Sequence, residues 1–433
     1  MGEKNVLTPN GKIADVIFGR CATGRFDEAD QAGTNACVQT QTATPARHQS
    51  ARHVAGVFLH CLILPFGAPH VFAQDAGADP LLASRPIMGS RSCANSSCHG
   101  GADEKSRQVV LWSQHDVHSR AYATLTTARA ARMAEALKIP DATTSARCTT
   151  CHAPVQTVPP ALRTADAHVT EGVSCASCHG PSDTWLRSHT RPDFTHADRV
   201  AAGMRELRDL YHRANACVAC HQTIEPELTG TGRHPPLRFE LDGQTQSQPK
   251  HWAEPAGRSG AQAWFVGQAV ALREMSWALA NGAADLARET PRWQASLWLL
   301  QRARPAGADA ALVNLSSDAR PANFTTARQI ADAVAQDAAR TWSAADTRPA
   351  LVRLASTHIE FSDTKISALS HACRAERLVL ALDRLIAASP AGEVPPGTSA
   401  QLDRLFRLVQ SQPDFAPAGF ARELAAFAAL LGP

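Results

Sequence analysis

Cys148-Thr-Thr-Cys151-His152, Cys175-Ala-Ser-Cys178-His179 and Cys217-Val-Ala-Cys220-His221 state one pattern three times. A fourth run, Cys93-Ala-Asn-Ser-Ser-Cys98-His99, keeps the terminal Cys-His but places four residues between the thiols. At this chain's own cysteine and histidine frequencies, chance would supply on the order of 0.01 C-x-x-C-H matches, so three are a signal. The chemistry accounts for the spacing: two thiols add to the two vinyl groups of a c-type haem, and the adjacent imidazole reaches the iron from the proximal side. Four covalently attached haem c groups are therefore expected, on Cys93, Cys98, His99, Cys148, Cys151, His152, Cys175, Cys178, His179, Cys217, Cys220 and His221. The longer first loop can still present both sulfurs. Zinc is the competing use of paired cysteines and histidine, but Cys-His adjacency in all four runs favours haem. A disulfide across two intervening residues would be a reactive loop of the redox type, not a structural staple.

Outward from these runs, the chain has 433 residues, 44% hydrophobic and 19% charged, with a formal charge of +3. That length has room for two domains, and the composition is that of a globular protein. The basic side chains are nearly all arginine and are dispersed, which excludes a nucleic-acid groove. No Gly-rich nucleotide loop, serine elbow or paired-carboxylate signature marks a conventional enzyme.

Val54–Phe66 is apolar but too short to cross a bilayer as a helix. With Arg47 and Arg52 before it and Val71-Phe72-Ala73 after it, it reads as a signal peptide cleaved after Ala73, so residues 1–73 form a leader and the chain is expected in the periplasm. The polar residues 1–46 are unusually long for a leader, and a true start further in, at Val38, would remove most of them. His60 before Cys61 disfavours a lipidated cysteine. The mature chain keeps nine cysteines, eight of them in the four runs.

Each iron also needs a sixth ligand or an open position. Between Pro86 and Trp252 the other histidines are His115, His118, His168, His189, His196, His212, His234 and His251, whereas methionine is scarce. Bis-histidine ligation is the expectation, at a lower potential than Met/His.

Gly89-Ser90-Arg91-Ser92-Cys93 through Cys98-His99-Gly100, then Trp112 and Asp116-Val117-His118-Ser119-Arg120-Ala121-Tyr122, resembles the tetrahaem cytochromes c typified by the electron acceptor of hydroxylamine oxidoreductase. Glu171-Gly172-Val173-Ser174 leading into the third motif and Gly180-Pro181, with Trp185-Leu186 and His189, is similar to that group's third haem segment. Gly232-Arg233-His234-Pro235-Pro236 and Lys250-His251-Trp252 are similar to a segment of related multihaem proteins. The resemblance covers roughly residues 86–255 and implies a tetrahaem cytochrome c domain. It implies metal ligation by His118 on the third haem and His189 on the first. It also points to His234 on the fourth, with His251 the alternative. The second haem is left open, as in the family's type member, or taken by His168. His115, one turn before His118, is expected to line the same pocket.

With about 43 residues per haem the cofactors must themselves be the core of this segment, and the apoprotein is expected to be largely unfolded. From Arg258 the sequence turns alanine- and leucine-rich, and residues 258–433 read as an α-helical bundle. Helices are expected over 261–286, 325–343, 364–389, 399–410 and 418–431, with Ser362 or Asp363 capping the third, Leu286 and Leu369 on buried faces, and a Pro395-Pro396-Gly397 loop. Cys373 reads as a buried thiol. The fold class is thus all-α: a tetrahaem cytochrome domain with few strands, then a bundle. The function expected is single-electron transfer between periplasmic or membrane-bound redox proteins. Alternatives are a haem redox enzyme acting on a small nitrogen or sulfur compound at an open iron, and a haem-bearing subunit docked by its bundle.

Overall fold

The computed structural model describes residues 85–305, 310–390, 392–410 and 414–432. The leader, its cleavage after Ala73 and the start at Val38 lie outside these residues. Gln74–Pro433 groups as one compact unit. Among the described residues there is no strand, only an isolated parallel bridge between Ile87 and Arg163, so the protein is all-α. No helix among them is long and apolar enough to cross a membrane.

Up to residue 257 the helices are mostly short: α1 (Gln108–His115), α2 (Ala121–Leu125), α3 (Ala128–Ala136), α4 (Ala146–His152), α5 (Cys175–His179), α6 (His196–Ala201), α7 (Leu210–His221), α8 (Pro226–Thr229) and α9 (Leu241–Ser247). Their ends follow from local chemistry. A capping box of Ser174 with Ser177 starts α5, and Gly180, at φ +80°, ends it. Asp209 caps α7 by accepting from the His212 N–H. Pro154 follows α4 at once and biases Ala153 away from helical geometry. Two small apolar groups form here, one on Ile87, Val155, Val158 and Ala176, the other on Leu125, Ala130, Ala134 and Ala142.

The remainder is a helical bundle: α10 (Gly260–Ala280), α11 (Leu286–Ala303), α12 (Ala310–Asn314), α13 (Pro321–Thr341), α14 (Thr347–Ala355), α15 (Ala368–Ala388), α16 (Thr398–Gln410) and α17 (Pro417–Leu431). Helix α10 is its centre, packing on α11, α13 and α15 with Trp264, Phe265 and Leu272 fully buried. Three expected helices begin or end elsewhere: the 325–343 helix runs from Pro321 to Thr341, with proline in its first turn. The 261–286 helix stops at Ala280, where Asn281 and Gly282, at φ +66°, turn the chain; Leu286 opens α11 instead and is 52% exposed. The 364–389 helix starts at Ala368 because Ser367, not Ser362 or Asp363, accepts from the Ser370 N–H, and this leaves Leu369 at the first turn 57% exposed. Cys373 is buried, and His371 uses its Nε2 on the Asp363 carbonyl at 3.0 Å.

Helices α7 and α9 pack on α10. Leu241 of α9 sits so close to Gly267 that a Cβ there would come within 2.7 Å of the Leu241 Cβ. From α7, the Tyr211 hydroxyl donates to Asp332 at 2.8 Å, while Arg273 donates to the same carboxylate at 2.7 Å and to Asn215 at 2.6 Å. Beside α9, Glu240 and Asp242 are buried near Arg377 and Arg384. Desolvation outweighs those guanidinium groups and pushes Asp242 up to about 7, and its Oδ1 has no hydrogen-bond partner.

Candidate metal centres

Three of the four motifs close on helices. Cysteines three apart lie on one helix face, and α4, α5 and the last turn of α7 present Cys148/Cys151, Cys175/Cys178 and Cys217/Cys220 this way. Cysteines five apart would point about 140° from each other on a helix. Accordingly Cys93–His99 is a 3-10 turn running into a loop, in which the Asn95 side chain accepts from the Ser97 N–H at 2.9 Å and the His99 N–H reaches the Cys93 carbonyl at 3.3 Å.

The motifs are also neighbours. Cys93 of the first lies in hydrogen-bonding reach of Cys175 of the third, and this contact with burial pushes the Cys93 thiol far up. Cys151 of the second is in the same relation to Cys220 of the fourth, whose thiol is likewise raised. Burial pushes Cys217 up to about 12, with Cys178 of the third motif adding to it. The motifs therefore lie in the order first, third, fourth, second.

Each motif histidine faces one histidine from outside the motifs. His99 and His189 are stacked with ring centres 6.0 Å apart. His221 faces His118 at 6.0 Å, His152 faces His234 at 6.4 Å and His179 faces His251 at 6.4 Å. A metal bonded to two imidazoles at about 2.0–2.1 Å, with about 1.1 Å from each Nε2 to its ring centre, needs roughly 6.2 Å. All four pairs are spaced to that figure.

Most of their outer nitrogens are engaged. The Nδ1–H of His99 donates to Gln108 Oε1 at 3.0 Å, that of His152 to the Ala121 carbonyl at 3.1 Å and that of His118 to Asp116 Oδ1 at 2.9 Å. His234 and His251 donate to the carbonyls of Pro235 and Pro249 at 2.8 and 3.1 Å, and His189 to that of Leu186. Fixing the proton on Nδ1 leaves the Nε2 lone pair free for a metal. Burial pushes His179 and His221 down to about 4 and lowers His234, so these rings are neutral, as ligands must be. The Gln244 amide lies 3.1 Å from His221 Nδ1 with its Oε1 buried and unpartnered.

Local structure aims these rings. The Asp116 carboxylate caps the turn Val117–Arg120 on the His118 N–H at 3.0 Å. Gly172, at φ +65°, lets the third-motif loop run against His118, since a Cβ there would fall 2.5 Å from the His118 carbonyl; Val173 N–H donates to that carbonyl at 3.0 Å. Trp112 donates to the Val173 carbonyl and buried Trp185 to that of Pro181, with the Trp185 ring edge-on to His189. Arg233, at φ +54°, turns the backbone just before His234.

These positions correct several sequence expectations. His189 faces the first motif as expected. His118 faces the fourth motif and not the third, because its loop passes beside the third-motif strand of chain while its ring points across to α7. His234 faces the second motif, and His251 the third. The second-motif histidine thus faces His234, and His168 is exposed. His115 is exposed at the end of α1 and does not line the His118 pocket. His196 commits Nε2 to Glu206 at 2.6 Å, and His212 pairs with Asp209 near the surface. Zinc has no donor set: among the described residues no three His, Cys, Asp or Glu side chains converge on a metal position.

Residues 92–180 match the family model of cytochrome c554 and c-prime. That stretch contains the whole of the first, second and third motifs and His118; the fourth motif, His189, His234, His251 and the bundle lie beyond it. No curated protein and no solved structure matches the chain. The match covers well under half of the chain; over that stretch it supports a c-type cytochrome, which implies covalently bound haem.

Proposed function

We propose that this c-type cytochrome carries four haems, each held between two imidazoles, and passes single electrons between redox proteins in the periplasm. The observation that carries this reading is the set of four ring pairs, each joining one motif histidine to one other histidine at 6.0–6.4 Å. The holding residues would be the eight motif cysteines for the porphyrin edges and His99/His189, His152/His234, His179/His251 and His221/His118 for the irons. Such a haem supplies a one-electron Fe(III)/Fe(II) couple. The protein's part is to hold the ligands in place, six of them through Nδ1–H bonds to protein oxygens, so that neither oxidation state requires a ligand to move, and to keep water from the buried rings. The signal-peptide reading of Val54–Phe66 and the covalent attachment chemistry support the periplasmic placement.

The enzymatic alternative requires an iron with an open face. No motif histidine lacks a facing imidazole, which argues for transfer over catalysis. Haem stoichiometry by pyridine haemochrome, together with visible and EPR spectra, tests the reading. Four haems per chain, all low-spin and unchanged by CO, NO or cyanide, are expected. Fewer haems would overturn the count, and a ligand-responsive high-spin component would restore the enzyme.

A further inference from the structure

We propose that Asp116 makes the His118–His221 centre the lowest in potential of the four, and that Gln248 moderates this effect. The inference rests on the four-centre reading above. Five of the hydrogen-bonded rings give their Nδ1–H to neutral acceptors, namely Gln108 and the carbonyls of Ala121, Leu186, Pro235 and Pro249. His118 gives its own to a carboxylate at 2.9 Å. A hydrogen bond to an ionised acceptor is roughly twice as strong as a neutral one. It moves negative charge onto the imidazole and raises its basicity as a ligand. A more anionic ligand favours Fe(III) over Fe(II). Asp116 is 1% exposed, so bulk water does little to screen its charge.

The carboxylate does not serve His118 alone. Its Oδ2 accepts from Gln248 Nε2 at 2.9 Å, and Gln248 begins the segment that carries His251 to the neighbouring third centre. Each donor on a carboxylate withdraws charge from the others. Asp116 therefore sets the potential of one centre, and Gln248 limits how far it goes. Asp116 is a positioning and tuning residue, acting through His118 without contact to iron.

Potentiometric titration of the holoprotein, followed in the visible bands, tests this with two variants of opposite sign. Asp116→Asn keeps shape and removes charge; the lowest wave should rise by about tenfold in its redox equilibrium, about 59 mV for one electron. The third centre, whose His251 follows Gln248 in the chain, should rise less, and the other two should stay in place. Gln248→Leu leaves the full carboxylate to His118 and should lower that same wave. If Asp116→Asn does not assemble, the downward shift in Gln248→Leu still decides. The proposal is overturned if no wave moves, if all four move equally, if both variants move it in one direction, or if the wave that moves is not the lowest. Failure of the underlying reading is separate and visible first, as fewer than four haems or a high-spin signal in the unmodified protein.

Discussion

The two halves of this protein are all helical, yet they are held together by different things. Away from the seam the bundle has its own interior: Trp293, Phe324, Phe361, Phe420 and Phe427 are completely buried there. In the residues before Arg258, the large side chains buried to that degree are Ile87, Leu210, Phe239 and Leu241, and Leu210 and Leu241 lie on the helices that pack against α10. The rest is two small clusters, eight facing imidazoles and many backbone hydrogen bonds. Apolar burial stabilises by roughly 25 cal/mol per Å² and must offset about 1–2 kcal/mol of backbone entropy per residue. The bundle can meet that from its own side chains. On the four-haem reading the first half would meet it with haem as the apolar mass.

The strongest way to break this contrast is to prevent haem attachment. With all eight motif cysteines changed to Ala, hydrogen exchange should show α10, α11, α13 and α15 protected and residues 92–221 unprotected, with helical circular dichroism reduced in proportion. Uniform protection in that variant would mean that the first half has a core of its own. Next in size is a cut into the bundle. Trp293 is fully buried and its indole N–H donates to Ser276 at 2.8 Å. Trp293→Ala should cost about 3–5 kcal/mol in denaturant titration, with the haem bands unchanged until the bundle melts. Bands that change at low denaturant would show that the halves do not differ in this way.

The seam supplies a pH test. Asp242 is raised to about 7, so the folded state holds a proton that the unfolded chain releases near pH 4. Stability is therefore full below pH 4, falls as pH rises from about 4 to about 7, and then levels off, a loss on the order of a few kcal/mol. Its surroundings are Glu240 on the approach to α9, Arg377, Asp383 and Arg384 on α15, and Gln268 on α10, which binds Glu240. Asp242→Asn should flatten the slope, as read by chemical denaturation across that window; an unchanged slope would place the titration elsewhere. The smallest effect is expected from Tyr211→Phe, which removes one hydrogen bond to Asp332 and should cost about 1 kcal/mol. A loss several times larger would make the Tyr211–Asp332–Arg273 contact the main tie between the halves.

What could be read from sequence divides by distance along the chain. The motifs were legible because C-x-x-C-H is complete within five residues, and the one exception, Cys93–His99, declared itself by its length. Helix ends followed caps only where one residue had a monopoly: Pro390 closed α15 as expected, but Ser362, Asp363 and Ser367 competed for its start, and only the fold selects Ser367. Helix α11 escaped notice because Pro291 interrupts its apolar pattern, although the helix runs through it. The facing histidines were the hardest part. Eight candidates were visible, but which motif each would face depends on loops that return from far away, and Gly172 beside His118 or Arg233 before His234 carries no letter code for direction. The Nδ1 partners hold the better signal. A histidine whose Nε2 is already taken, as His196 is by Glu206, is out of contention, and that becomes apparent only in three dimensions.

If all four motifs carry haem, as proposed, their order of first, third, fourth, second has a consequence for how damage would spread. Elements joined in series offer no detour. Loss of the first or second site trims an end and leaves three in line, whereas loss of the third or fourth cuts the line into unequal pieces. The two ends come from the earliest motifs in the chain and the two indispensable middle positions from the latest, so a chain truncated after the second motif would possess both terminals and nothing between them.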